Sequence, residues 1–264
     1  MQIKPMLLDI AQIEASLSRG KISYFETIDS TNNYLLANGE CRDICISEMQ
    51  NAGRGRRGNH WVSPPSGNIY FSQCWCFDSI SEYWSLLGLI TGIAIAAALE
   101  DIGLTGHGVK WPNDIFWQDQ KLGGILLETL NQSGKIVIGI GLNVNMPSTV
   151  NSQIDQPFIS LSKAMQGKPF SREELVIALI NRLQQQLIHF THFDYECFIE
   201  SWKKWDILLG KAVSFYHQGA LIAGTVVEIN KQGLLGILTA DGKVSFFSSA
   251  DIRLNKSFGN KERT

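Results

Sequence analysis

Residues 53–58 read Gly-Arg-Gly-Arg-Arg-Gly, placing three guanidinium groups (Arg54, Arg56 and Arg57) on a glycine-rich backbone. As a bare pattern this fits G-x-G-x-x-G, whose glycines let backbone approach phosphates at the start of a helix. The following residues refuse that reading. Pro64 and Pro65 come soon after, so no helix N-terminus is predicted there to hold a pyrophosphate. Positive charge must then come from the side chains. Guanidinium groups stay charged and present forked donors to carboxylate and phosphate oxygens. The segment reads as an anion clamp, although these six residues alone fit a solvated basic turn or a nucleic-acid patch equally well.

Other polar clusters change that balance. Ser30-Thr31-Asn32 sets two hydroxyls and an amide at a strand-to-helix turn, where simple helix capping is the plainer reading. Gln50 falls just before the clamp, and its amide both donates and accepts. Lys110-Trp111-Pro112-Asn113-Asp114 gathers a cation, an indole, an amide and a carboxylate in one turn; most such turns only link strands. Lys121 precedes Gly123-Gly124, and Gly139 and Gly141 precede Asn143. Paired glycines within strands signal a bulge or a ligand lying close to backbone. Trp61 either stacks on a base or simply packs. Together these residues suit a ligand with a carboxylate, a phosphate and a neutral polar head. No Ser/His or Cys/His pairing is apparent, which favours charge stabilisation and positioning over covalent catalysis.

These residues must be positioned by ordered elements. Helical spacing covers Met6–Leu17, and Ile22–Ile28 and Ile44–Met49 alternate like strands. Ser30 should cap a short helix ending near Gly39, and Ile69–Phe77 reads as a strand. Trp84–Leu99 is apolar but shorter than a bilayer requires, so a buried central helix from Ser81 to Asp101 is expected. Strands follow over 109–111, 115–117, 122–130 and 136–145, then helices over 161–165, 175–190 and 195–205. Ser171 and Glu174 have capping-box spacing. After Leu209-Gly210 only short strands remain, with Asp241-Gly242 as a hairpin turn. The expectation is an α+β fold: residues 1–209 form a catalytic domain with a central mixed, largely antiparallel sheet and flanking helices, and residues 210–264 a small β-barrel. The polar tail after Leu254 is expected to lack order.

Bulk properties narrow the function. A chain of 264 residues with 44% hydrophobic and 18% charged residues buries a full core. A net charge of −2 argues against general nucleic-acid affinity. No signal-peptide pattern opens the chain. The five cysteines include no C-x-x-C, and the histidines are scattered. A cytoplasmic chain with reduced, mostly buried thiols is expected, without a His or Cys metal site.

Asp29-Ser30-Thr31-Asn32, Gln50 through Gly58 with Trp61, Lys110–Asp114, Lys121–Leu126 and Gly139–Asn145 appear in one order, and in that order the sequence resembles the biotin protein ligases. The likeness extends to Ala250-Asp251-Ile252-Arg253-Leu254. It implies a class II synthetase-like catalytic domain and an SH3-like C-terminal barrel. It also implies two steps. Biotin and Mg-ATP give biotinyl-5′-AMP, and a lysine of a biotin carboxyl carrier protein then takes the biotinyl group. By this resemblance Ser30, Thr31 and Gln50 meet the ureido head, with Asn32 and Gly55 completing the wall. Arg54 and Arg56 close over carboxylate and phosphate, and Lys121 bonds the reacting oxygens. Trp61 and Asn143 receive adenine. Lys110, Asn113 and Asp114 serve the ATP phosphates, magnesium (Asp114) or the incoming amine. Glycines 53, 55 and 58 let the clamp order around its ligand.

Longer family members carry an N-terminal DNA-binding domain, for which the 29 residues before Ser30 are too few. No operator binding and no membrane partner are expected, and a homodimer is left open. Two rivals stand beside this reading: a lipoate or octanoate transferase on the same scaffold, and a non-enzymatic nucleotide- or nucleic-acid-binding module.

Overall fold

A computed structural model describes residues 7–65, 67–79, 81–129 and 134–248, with the backbone of 253–254. The polar tail and residues 250–252 of the C-terminal motif lie outside the described residues.

The N-terminal part is a seven-stranded sheet in the order β1-β2-β3-β7-β6-β5-β4. Its strands are β1 (Ile22–Phe25), β2 (Ile44–Ser47), β3 (Ile69–Cys76), β4 (His107–Lys110), β5 (Asp114–Trp117), β6 (Gln120–Thr129) and β7 (Lys135–Leu142). β1 and β2 run parallel and the other neighbours antiparallel, so the sheet is mixed and largely antiparallel, as the sequence implied. The helices are α1 (Ile10–Glu14), α2 (Thr31–Asn38), α3 (Leu87–Asp101), α4 (Leu161–Ala164), α5 (Arg172–His189) and α6 (Tyr195–Trp205). The apolar run around α3 is the buried central helix expected; Ile95, Ala96 and Leu99 are fully buried. α5 lies against it, with Leu175, Leu179 and Leu183 facing the same core. Burying such side chains supplies roughly 1.5–3 kcal/mol each.

Capping sets where α2 and α5 begin. Ser30 Oγ accepts the Asn33 amide at 3.4 Å, and Ser171 Oγ accepts the Glu174 amide at 3.2 Å. At Ser171 the return arm differs from a full capping box, because the hydroxyl donates to Glu173 Oε2 at 2.8 Å. Arg56–Gly58 within the clamp make one 3-10 turn, and the next regular element is β3, not an α-helix.

From Ala212 a second, five-stranded antiparallel sheet forms where the small β-barrel was expected, in the order β11-β10-β9-β8-β12. Its strands are β8 (Ala212–His217), β9 (Ala220–Ile229), β10 (Leu235–Leu238), β11 (Val244–Phe247) and β12 (Arg253–Leu254). One buried cluster runs through both sheets, joining Leu86 and Val109 to Val213, Ile229 and Leu235. Trp111 Nε1 donates to Gly233 O at 2.9 Å across the same junction.

One expectation fails. Cys41 and Cys76 are joined as a disulfide with Cα atoms 5.6 Å apart, whereas reduced thiols were expected. The reason is the strand register. Arg42 N donates to Cys74 O and Cys74 N to Asp43 O, both at 2.8 Å, and this holds the turn carrying Cys41 against the end of β3. Cys45 and Cys74 remain free and buried, and burial pushes the Cys45 thiol up to about 12.

Candidate active site

A cavity of about 450 Å³ opens on one face of the seven-stranded sheet. Its neutral corner is built by α2 and the end of β2. Thr31 donates to Gln50 Oε1 through its backbone amide at 2.9 Å and its hydroxyl at 3.2 Å. Gln50 Nε2 in turn donates to Ser63 Oγ at 3.1 Å. Ser72 Oγ of β3 lies 2.7 Å from Thr31 Oγ1 and 2.6 Å from Asn32 Oδ1. Ser30, Thr31 and Asn32 are all buried yet line the cavity. Ser30 is therefore both helix cap and pocket wall.

The clamp arches over this corner. Trp61 N donates to Gly53 O at 2.9 Å and Gly55 N to Asn59 O at 2.7 Å, which makes the loop a closed hairpin. Glycine at 53 is a matter of space: a Cβ there would meet Trp61 O at 2.4 Å. Gly58 is a matter of backbone, with φ of +78°. Arg54, Gly55, Arg56 and Arg57 all line the cavity. Arg54 bonds Asn33 Oδ1 and pairs with Glu128. Arg56 Nη1 donates to Asn113 Oδ1 at 2.9 Å. Burial, then the neighbouring Arg57 charge, pull the Arg56 pKa down, and Asp114 opposes them. A guanidinium remains charged under such a shift.

The third wall comes from β5 and β6. Lys121 Nζ sits 2.8 Å from Asp114 Oδ1, an ion pair without the alignment of a hydrogen bond, and 5.4 Å above the Trp61 ring. A bulge creates this pairing. β5 and β6 pair Ile115 with Gly123 but Phe116 with Lys121, so one extra residue, Leu122, moves Lys121 to the face of Asp114 and Gly124. Asn113 is clipped to β6 by its amide donating to Ile125 O, and by Ile125 N donating to Asn113 O, each at 2.9 Å. Lys110 lines the cavity with its ammonium 4.8 Å from the Phe116 ring.

The floor is the glycine stripe. A Cβ on Gly141 would meet the Trp61 indole at 2.6 Å, and one on Gly139 would meet Asn32 Oδ1 at 2.2 Å. Much of the space these glycines leave is thus taken by the protein's own Asn32 and Trp61. Among the described residues Trp61 Nε1 is buried with no hydrogen-bond partner, a donor left over at the cavity wall.

Of the thirteen residues named from sequence, twelve line this cavity: Ser30, Thr31, Asn32, Gln50, Arg54, Gly55, Arg56, Trp61, Lys110, Asn113, Asp114 and Lys121. Asn143 stands behind the wall. Its amide donates to Lys121 O at 3.3 Å and its backbone N–H to Leu122 O at 2.9 Å. Two residues of the network went unnamed. Ser72 had a faint signal, a hydroxyl inside an apolar strand; Glu128 had none, lying near the end of a strand.

Neutral polar groups, cations and an indole over bare backbone line one cavity, a set that suits a ligand with a neutral polar head, a carboxylate and a phosphate. Comparison with known proteins agrees. Residues 24–145 match the biotin/lipoate A/B protein ligase family. The bifunctional ligase/repressor BirA of Escherichia coli is 36% identical over 95% of this chain and 79% of its own length. The biotin–[acetyl-CoA-carboxylase] ligase of Mycobacterium tuberculosis is 28% identical over 79% of this chain and 77% of its own. Among solved structures, the Aquifex aeolicus biotin protein ligase in complex with biotin and ATP superposes with a TM-score of 0.76. It is 27% identical and covers 90% of this chain and 99% of its own. This chain belongs to that family, as a biotin protein ligase.

Proposed function

We propose that this ligase activates biotin as biotinyl-5′-AMP and passes the biotinyl group to one lysine of a biotin carboxyl carrier protein. The observation that carries the proposal is the convergence of the neutral corner, the clamp and the Lys121–Asp114 pair on one cavity. A biotin carboxylate oxygen attacks the α-phosphorus of ATP and pyrophosphate leaves. The carrier amine then attacks the acyl carbon, releasing AMP and a proton. A carboxylate is a poor electrophile, and adenylation gives it a good leaving group.

Each residue acts in that frame. Thr31, Ser30, Asn32 and Gln50 supply neutral donors and acceptors for the ureido head. Arg56 and Lys121 offset the charge that builds on carboxylate and phosphate oxygens. Arg54 and Gly55 form the base of the clamp, and Arg57 adds to its positive field. The indole of Trp61 offers adenine a stacking face. Magnesium arriving with ATP would neutralise phosphate charge. Asp114 is a fitting carboxylate for it, since this ion is usually held by one or two carboxylates plus substrate phosphates. Asn113 and Lys110 serve the same phosphate end. The clamp arginines face the cavity, so operator-DNA binding is no part of the proposal.

The test is direct. Purified chain, biotin, Mg-ATP and a carrier domain are incubated, and the carrier is mapped by mass spectrometry. One biotinylated lysine is expected. An unmodified carrier, or lipoyl transfer in preference to biotinyl, would overturn the proposal.

A further inference from the structure

Glu128 is a carboxylate that none of the proposed chemistry uses, yet it touches two of the site's three walls. It lies on β6 opposite Val137 of β7, with a side chain only 18% exposed. One carboxylate oxygen, Oε2, accepts Asn32 Nδ2 at 2.9 Å. The other, Oε1, pairs with the Arg54 guanidinium. Arg54 also donates to Asn33 Oδ1, and Asn33 Nδ2 donates to Asp29 Oδ2 at 3.0 Å. That last bond, above all, holds the Asp29 carboxyl below its ordinary range.

The consequences for Arg54 and Asn32 follow from donor geometry. The Arg54 guanidinium is committed at both ends, to β6 through Glu128 and to α2 through Asn33. It joins the base of the clamp to α2, which carries part of the neutral corner, and to β6. Asn32 is fixed in the same way. Its NH2 group is drawn to Glu128 while its oxygen faces Ser72 Oγ, so the amide has one settled orientation.

We propose that Glu128 is a positioning residue for ligation, anchoring the clamp through Arg54 and orienting the Asn32 amide, so that the Arg54 side chain holds the loop and Arg56 carries the substrate charge. This rests on the biotin ligase reading and deepens it. The closed clamp keeps water from a hydrolysable adenylate, and the anchor sets how long it stays closed.

The experiment compares wild type, Glu128→Gln, Arg54→Gln and the double variant. Glu128→Gln keeps an oxygen for Asn32 Nδ2 and removes only the charge facing Arg54. The first readout is dissociation of biotinyl-5′-AMP formed in place. The second, independent of ligation, is the rate of tryptic cleavage within residues 54–57. Because the pair is partly exposed, Glu128→Gln should speed both by roughly three- to tenfold, while the rate of adenylate formation at saturating biotin and ATP stays within about twofold. The double variant should be no worse than Arg54→Gln alone, as expected when two residues act through one contact.

Additive losses in the double variant would put the Arg54 side chain on the substrate and overturn the proposal. So would adenylate release and cleavage at wild-type rates in Glu128→Gln. If wild type itself forms no adenylate from biotin and ATP, the ligase reading falls and this inference falls with it. Adenylate formed but equally retained removes the anchor alone.

Discussion

The cavity has two ends that hold polar groups by opposite means. At the neutral corner, Thr31, Asn32 and Gln50 are at most 9% exposed and tied to one another, to Ser72 or to Ser63. At the charged end, Arg54 is 41% exposed on a hairpin, and its charge is met by Glu128 as that of Lys121 is met by Asp114. The difference follows from what each end must do. A neutral head keeps its charge throughout the reaction, so a fixed network can be shaped to it and rejects ligands that leave buried donors unpaired. The carboxylate–phosphate junction changes charge at every step. Cations already balanced by carboxylates can follow that change without becoming buried and unpaired.

The comparison breaks most visibly at Lys121. Lys121→Met removes an ammonium aimed at the junction and leaves the neutral corner intact. Adenylate formation should fall about a hundredfold or more, the scale of losing one preorganised charge-stabilising donor. Biotin affinity measured without ATP should change far less. A parallel collapse of biotin affinity would mean the two ends are not separable.

The reverse separation is expected at Gly139. In Gly139→Ala the new Cβ would sit 2.2 Å from Asn32 Oδ1, so the amide must move. Overpacking of this kind costs roughly 1–3 kcal/mol in stability, read by urea unfolding. The biotin dissociation constant, read by calorimetry, should rise about tenfold for each ~1.4 kcal/mol of binding lost. The turnover number at saturating biotin should fall little. Weaker still is Thr31→Val, which keeps the backbone bond to Gln50 and removes one hydroxyl. About 1 kcal/mol of biotin binding should go with it; unchanged affinity would leave the hydroxyl a structural partner of Gln50 and Ser72 alone.

These two ends were unequally legible in the sequence. The neutral corner is local: Ser30-Thr31-Asn32 announces a helix start, and the cap that forms there also brings the hydroxyls to the cavity. The clamp was legible because three arginines between glycines, with prolines following, leave few alternatives. What could not be read depends on pairing across the sheet. Glu128 becomes meaningful only once β6 lies beside α2 and the clamp, and Ser72 only once β3 passes beneath Thr31. The place of Asn143 is set by the same kind of pairing. β7 ends at Leu142, and the pairing of Asn143 N with Leu122 O turns its amide toward the strand behind the wall. The paired glycines pointed correctly to close approach, yet the groups that approach are Asn32 and Trp61 as well as any ligand. The Cys41–Cys76 disulfide, 35 residues apart in sequence, was equally invisible without the register of β3.

The smallest expected effect supplies the control for charge pairs in the cavity. Arg182 of α5 grips Asp101 at the end of α3 through Nε to Oδ2 at 2.7 Å and Nη2 to Oδ1 at 2.6 Å, and neither residue lines the cavity. The Arg182 hydrogen bond is the main reason the Asp101 carboxyl lies below its ordinary value of 3.8. A carboxyl depressed in the folded state contributes stability that is fully present above the unfolded pKa and is lost as pH falls through the folded one. With both side chains about two-fifths exposed, solvent screening limits the pair to about 0.5 kcal/mol. Asp101→Asn should therefore lower unfolding stability by that amount at pH 7 and leave ligation rates unchanged. The gap between variant and wild type should close as the solution is taken below the unfolded carboxylate pKa. A pair that only fastens two helices behaves this way; Lys121 and Asp114 should instead show small stability effects and large rate effects, and equal behaviour of the two pairs would erase the distinction between holding the fold and stabilising the reaction.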